Sequence, residues 1–403
     1  MKLSALHVRK SSIHNLRRGV LTAWTIWLIL AAGVIAGGLF NAIWLSAVRN
    51  QAHHCAAVAA LAAGHSYLSD DMLRSCQQPF EYDGRVARCQ QAAVSMVDQY
   101  RNGTPLPPIS AELVQVEWPD NQGPVSDPAL LVPRKIRVSF DSHHEQYHIP
   151  MFFGGLTGLR STRMGVQCCV ALEHTPTAFR PSPKNNVPML PFAICDDILP
   201  LSQGQGTTSA GYWTSSIESG KGKDSFSWND EARKFEPGQD GLPEVTVTIY
   251  SSTSPGSSDA FIPIAFSAGP KGPSGPPITA WIQEGLTEDN VKSLGREELS
   301  FPNSLSVIKL NSLIINECKT ALDKKIGEPC LICLCSTNLV NGSQTSVTIK
   351  RPVAARIAQV TRSLNGAVKV VLQPCVLTTS TAITSRDPDI AMNRYVYSIR
   401  LCN

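Results

Sequence analysis

The sequence predicts an α+β fold: an N-terminal transmembrane helix extended into a stalk, then a largely antiparallel β-rich ectodomain with a few helices. Three observations predict it. Residues 19–48, "GVLTAWTIWLILAAGVIAGGLFNAIWLSAV", contain no charged side chain. Segments such as "RKIRVSF" and "LPEVTVTIY" alternate polar and apolar residues, the two-residue period of a half-buried strand. Asn-Gly pairs at 341–342 and 365–366 separate alternating runs, and such pairs favour tight hairpins because both turn positions need positive φ.

The elements follow in chain order. Residues 1–18 form a basic head with Lys2, Arg9, Lys10, Arg17 and Arg18 and no acid. The whole chain is +4, so removing the head's +5 leaves −1 for residues 19–403. That near-neutral body gives no basic surface for nucleic acid. The uncharged run 19–48 exceeds the roughly 20 residues needed to cross a hydrocarbon core. An unpaired backbone amide is costly in lipid, so the crossing must be helical. Trp24 and Trp27 near one end and Trp44 near the other suit the two interfaces. A cleaved signal peptide would carry an apolar region of only about 7–15 residues. The excess of Lys and Arg before the span places the N-terminus in the cytoplasm and residues after about 49 in a periplasm. Gly33 and Gly37 form a G-x-x-x-G that would let another helix approach closely.

Residues 49–105 read as the helical stalk. "RNQAHHCAAVAALAAGHS" is rich in alanine and free of proline, and alanine loses no side-chain entropy in a helix. A second helix is expected over 85–100, stopped by "RNGTPLPP". Residues 106–176 read as a small β-containing unit, with strands in "AELVQVEWP", "RKIRVSF" and "MGVQCCVALEH" and a short helix or loop in "MFFGGLTGLR". Residues 177–240 are rich in Pro, Gly and Ser and are expected to be irregular. Residues 241–403 form a C-terminal β-rich unit with one helix over about 308–325, closed by Gly327.

Two motifs could carry chemistry. His144, Glu145 and His148 spell H-E-x-x-H, which binds zinc when a helix puts both histidines on one face. Here a strand pattern ends near Phe140 and Pro150 follows, leaving little helical space. On a strand the two histidines would sit roughly 13 Å apart, too far to share a metal that binds nitrogen at about 2.0–2.1 Å. A connector between strands is the expected reading. "CLICLC" offers Cys330, Cys333 and Cys335, with Cys318 or Cys375 as a possible fourth zinc ligand, but its alternation with Leu and Ile reads as core. Cys55, Cys76, Cys89, Cys168, Cys169, Cys195 and Cys402 complete the twelve cysteines. All would lie in a compartment that permits disulfides, and spacing does not fix their connectivity. The chain has no G-x-S-x-G, no Walker loop and no dinucleotide fingerprint.

Residues 17–64 resemble the N-terminal region of the TadG/TadE-like proteins of the bacterial tight-adherence (Flp pilus) system. The resemblance is carried by Arg17, Arg18 and Gly19 before the span, Arg49 and Gln51 after it, and the run Ala60, Leu61, Ala62, Ala63. Residues 148–174 are similar as well, through Pro150, Phe152, Phe153, Gly158 and Ala171. Looser likeness to the large planctomycete-type members lies in "FSWNDEARKFEPGQDGLPEVTVTIY" and "RIAQVTRSLNGAVKVVLQP". His53, His54 and Cys55 stand where many members carry Asp, and no D-x-S-x-S is present. Relatives processed like pilins keep a glutamate at the fifth position after a glycine; after Gly19 that position is Trp24, so retention as an anchored protein is implied.

The expected function is that of a non-enzymatic, single-pass accessory or structural component of a Flp/Tad-type pilus assembly or secretion apparatus in the inner membrane. Its expected partners are the lipid bilayer and helices of other membrane components. No catalytic, cofactor-binding or metal-binding residues, no cofactor, no nucleic acid and no small-molecule substrate are expected. The alternatives are a membrane-tethered zinc hydrolase using residues 144–148, or a surface-binding module.

Overall fold

The computed structural model describes residues 8–74, 82–101, 106, 109–118, 132–140, 148–158, 160–196, 212–250, 259–267, 278–340, 343–364, 366–387 and 390–402. An apolar N-terminal helix leads into a mostly antiparallel β-rich region with a few scattered helices, the fold class expected from sequence.

Helix α1 runs unbroken over Val8–Tyr67. Its 60 residues span about 90 Å at 1.5 Å per residue. No proline interrupts it, and its second half is rich in alanine. That second half is not a free stalk. Ala52, Cys55, Ala56, Ala59, Ala60, Ala63 and Tyr67 are all at or below 1% exposure. They lie three or four residues apart and so form one stripe. The stripe faces helix α2 (Tyr82–Arg101), through Cys89, Ala93 and Val97, and a sheet, through Ile136, Val138, Val170 and Leu172. The expectation of a stalk over 49–105 is thus corrected. The small side chains do invite a close neighbour, and that neighbour is the chain's own domain.

The sheet against α1 has five strands, in the order Val114–Glu117, Lys135–Phe140, Val166–Glu173, Val396–Cys402, Leu377–Thr378. The last two join from the far end of the chain, so residues 106–176 do not form a closed unit. Glu173 pairs with Ser398 and Cys169 with Cys402 across the junction.

A second sheet builds the larger core. Its order is Val245–Ile249, Val368–Pro374, Ser343–Arg362, Pro329–Val340, Met189–Cys195, Phe261–Pro263, with Asn303–Ser306 paired to the far part of Ser343–Arg362. It curls until its edges meet. Ala260 bridges to Thr248, whose amide donates to the Asp259 carbonyl at 2.7 Å. Bringing the edges together shields backbone groups that would otherwise recruit another strand. Helices α4 (Ile278–Glu284), α5 (Glu288–Ser293) and α6 (Ser312–Asp323) accompany it, where one helix was expected. Helix α6 starts at Asn311, whose side chain accepts from the Ile314 amide at 2.8 Å, and buries Ile315, Cys318, Ala321 and Leu322 on one face.

Residues 177–240 also differ from the expected irregular stretch. Met189–Cys195 is a core strand, parallel to Pro329–Val340, with Met189, Leu190, Phe192, Ala193 and Ile194 at 2% exposure or less. A strand buried on both faces shows no alternation, and the flanking breakers hid it. Both Asn-Gly hairpins form: the ladders close at Val340–Ser343 and Arg362–Val368. Residues 341, 342 and 365 lie outside the described residues, and Gly366 adopts the expected positive φ of 84°.

Candidate functional site: the anchor helix and its aromatic collar

The two halves of α1 meet opposite environments. Trp24, Ile26, Trp27, Leu28, Ile29 and Leu30 are each more than half exposed, whereas Val48 and the alanine stripe beyond it are buried. Soluble monomers rarely expose apolar patches of this extent. The outer half is long and apolar enough to cross a membrane, and the chain reads as a single-pass membrane protein with a β-rich domain on one side.

Between the two halves sits a collar. The hairpin of strands His148–Pro150 and Ser161–Arg163 carries helix α3 (Gly154–Thr157) at its tip. Phe152 and Phe153, just before α3, reach the helix. Phe152 meets Trp44 edge-on at 4.9 Å between ring centroids and Phe40 at 5.7 Å; Phe153 meets Phe40 at 5.5 Å. Such edge-to-face geometry is the favoured arrangement of aromatic pairs. The Phe153 amide donates to Asn41 Oδ1 at 3.2 Å, and Asn41 is only 6% exposed. A Cβ on Gly37 would lie 3.2 Å from Phe153 Cβ, so glycine is what lets the ring approach. The close approach expected of a neighbouring helix at Gly37 is therefore taken by the chain's own hairpin, whereas Gly33 has nothing within 4 Å among the described residues.

Of the H-E-x-x-H residues only His148 is among the described residues, and it is not helical. His148 begins a strand and pairs with Arg163. His144 and Glu145 lie outside the described residues. Among the described residues no group of three or more His, Cys, Asp and Glu is placed to hold a metal. Cys330, Cys333 and Cys335 lie within a core strand at 4% exposure or less. Cys330 Sγ donates to the Ala355 carbonyl at 3.1 Å, and burial pushes Cys330 and Cys333 up to about 12. They are buried thiols, as the alternation with Leu and Ile suggested. Cys168 and Cys169, adjacent on one strand, face differently: Cys168 is buried and Cys169 half-buried.

The chain matches no family model, no curated protein and no solved structure. Its chemistry must therefore be read from its own side chains.

Three polar clusters escaped sequence reading because their members are far apart in the chain. The first joins Arg351 to Glu218 at 2.8 Å and Asp196 at 3.8 Å, while the Tyr395 hydroxyl donates to Glu218 at 3.2 Å and accepts from Trp213 Nε1 at 3.2 Å. Burial and the Glu218 charge raise the Tyr395 pKa, so its phenol stays protonated. The second joins Asp70, just past α1, to Arg356 of strand Ser343–Arg362 in the second sheet. Asp70 Oδ1 also accepts from the Val376 amide at 2.6 Å, and the Arg356 guanidinium lies 4.9 Å from the centre of the Trp228 ring. Both clusters clamp separate segments together. The third lines a surface cleft of about 680 Å³ that includes Arg134, Lys135, Glu173, His174, Arg386 and Arg400. Glu173 is engaged by Thr384, by Arg386 at 3.4 Å and by Arg400 at 3.6 Å. Burial lowers the His174 pKa and favours its neutral form. Four cations against one acid make the cleft suited to an anion.

Proposed function

We propose that the chain is a non-enzymatic, single-pass membrane-anchored component of a Flp/Tad-type pilus-assembly or secretion apparatus, with its N-terminus in the cytoplasm and the domain after about residue 49 in the periplasm. One observation carries the anchoring: α1 passes from an exposed apolar half to a buried half without a break. The orientation rests on the five cations before the span. The apparatus rests on the resemblance of residues 17–64 and 148–174 to the TadG/TadE-like proteins.

Replacing Leu28 and Ile35 together by arginine tests the anchor. Each arginine near the middle of a span costs about 2.5–3.5 kcal/mol in insertion. The double variant should leave the membrane fraction at alkaline pH, while replacing His144 and His148 by alanine should change neither folding nor fractionation. Retention of the Arg variant in washed membranes would refute the anchor. A reporter fused after Arg49 that is reachable only from the cytosol would refute the orientation. Failure to co-isolate with a secretion ATPase or its membrane platform would remove the apparatus and leave the anchor standing.

The basic cleft favours a second reading, a domain that binds an acidic surface. Such binding would weaken as salt rises and would be lost on replacing Arg386 and Arg400 by glutamate.

A further inference from the structure

The hairpin over 148–163 reaches much further along α1 than the rest of the domain. The domain buries α1 from Val48 onward, yet Phe153 touches Gly37. Those eleven residues amount to roughly 16 Å along a helix axis. The depth this implies can be bounded. A hydrocarbon core takes about 20 residues of helix, and the uncharged run is 19–48. If the core began at residue 19, Phe40 would lie only about 3 Å beyond it; a start about two residues later or more places Phe40 inside. In every placement Phe40 is at the hydrocarbon edge or deeper.

The tip is built for that environment. Phe152 is 64% exposed and Phe153 39%, although both rest against the helix. Their free faces continue the exposed apolar surface of Leu39, Phe40 and Ile43. Three backbone donors at the tip have internal acceptors: Met151 N donates to Arg160 O at 3.0 Å, Phe153 N to Asn41 Oδ1 at 3.2 Å, and Gly154 N to Met151 O at 3.3 Å. Non-helical backbone at membrane depth requires such pairing. Arg160, opposite Met151 at the foot of the tip, and Arg163, opposite His148, are exposed on the returning arm. Guanidinium groups suit phosphate at that level.

We propose that this hairpin is a second membrane-insertion element. Its Phe152–Phe153 tip lies among the acyl chains of the domain-side leaflet, and Arg160 and Arg163 meet lipid phosphates. The proposal rests on the reading of α1 as a span, and the test separates the two. A photoreactive benzoylphenylalanine replaces Trp27, Phe152 or Leu364 in three versions of the full chain, each reconstituted in phosphatidylethanolamine–phosphatidylglycerol vesicles. Leu364 is a fully exposed position between strands of the second sheet. Illumination should give acyl-chain adducts at positions 27 and 152 and none at 364, read by mass spectrometry. Adducts at 27 without any at 152 would overturn the inserted hairpin and leave the span intact. Adducts at neither would overturn both. A crosslink from 152 to a second copy of the chain would show the tip covered by protein, and would overturn the lipid assignment.

Discussion

Substituting Gly64 distinguishes a seated helix from a free stalk, because the two arrangements give opposite signs. Gly64 is buried near the end of α1, and a Cβ there would lie 3.4 Å from Leu172 Cδ2 and Val170 Cγ2 and 3.5 Å from Ile399 Cγ2. Those are ordinary contact distances, so alanine fits without displacing the sheet. Alanine also gains helix propensity, for an expected stabilisation of about 0.5–1 kcal/mol. Valine adds two carbons, each about 1.5 Å further out, toward three walls already in contact. Overfilling a packed interface typically costs about 1–3 kcal/mol. Gly64→Ala should therefore raise the thermal midpoint of the full chain and Gly64→Val should lower it. The gap should be several degrees, at about 2–4 °C per kcal/mol for a domain of 150–250 residues. Tryptophan fluorescence of protein in lipid nanodiscs, at one fixed scan rate, reads both. Val58→Ala, at a position 37% exposed on the same helix, is the control and should change little. On a stalk standing clear of the sheet, both Gly64 variants would stabilise, since alanine and valine each exceed glycine in helix propensity. A Gly64→Val chain as stable as Gly64→Ala would thus refute the packing of α1 on the sheet.

Four further outcomes are expected. Asp70→Ala leaves Arg356 largely buried without its carboxylate and should cost about 3–5 kcal/mol in denaturant titrations; a loss below about 1 kcal/mol, the range of a surface pair, would contradict the clamp. Asp70, Asp240 and Glu244 have pKa values raised first by burial, opposed by Arg356 at Asp70 and by backbone amides at the other two. Their favourable contribution is full below the ordinary carboxylate range and is lost as pH rises through the raised folded values. Glu244→Gln should therefore lessen the fall in stability with rising pH across that window, and an unchanged pH profile would count against it. Cys318, Cys330 and Cys333, pushed up to about 12 by burial, should resist iodoacetamide at pH 8 until the chain unfolds, as peptide mass spectrometry would report. Cys169 and Cys402 face each other across an antiparallel pair, so mild oxidation should join them, and absence of the linked peptide would contradict that register.

Local patterns were legible wherever one face is wet and the other dry. Lys135–Phe140 alternates strictly between half-buried and buried, and "KIRVSF" shows it in the sequence. The uncharged run 19–48 announced a helix on composition alone. Two things were not legible. Met189–Cys195 is dry on both faces and begins just after Pro188, so neither period nor flanks marked it. The alanine run also allows two outcomes: small side chains permit a bare stalk or a close approach, and only the sheet of residues 114–173 and 396–402, completed by the C-terminal strand, decides between them. The collar was half visible. The resemblance marks the paired aromatics at 152–153, but their contact with Phe40 and Trp44 joins residues more than a hundred positions apart.

Continuity of α1 has a mechanical consequence. A domain joined to its anchor by a flexible linker can rotate freely over the bilayer. Here one stripe, through Gly37, Asn41, Val48, Ala52, Ala59, Ala63 and Tyr67, contacts first the hairpin and then the domain core. Bending between anchor and domain would require breaking helical hydrogen bonds or uncovering that stripe, and Asp70 fixes the far end to the second sheet through Arg356 and to the Val376 amide. The domain is thus held at a set tilt and rotation about the span, with the hairpin as a brace. Gly64 contacts the same strand, Val166–Glu173, that ends at the basic cleft, and it lies 27 residues beyond Gly37, about 40 Å along the helix. The cleft is therefore held at a constant height and heading relative to α1. The absence of any break in α1 between Thr22 and Tyr67 thus makes the domain and its anchor one rigid piece rather than a tethered pair.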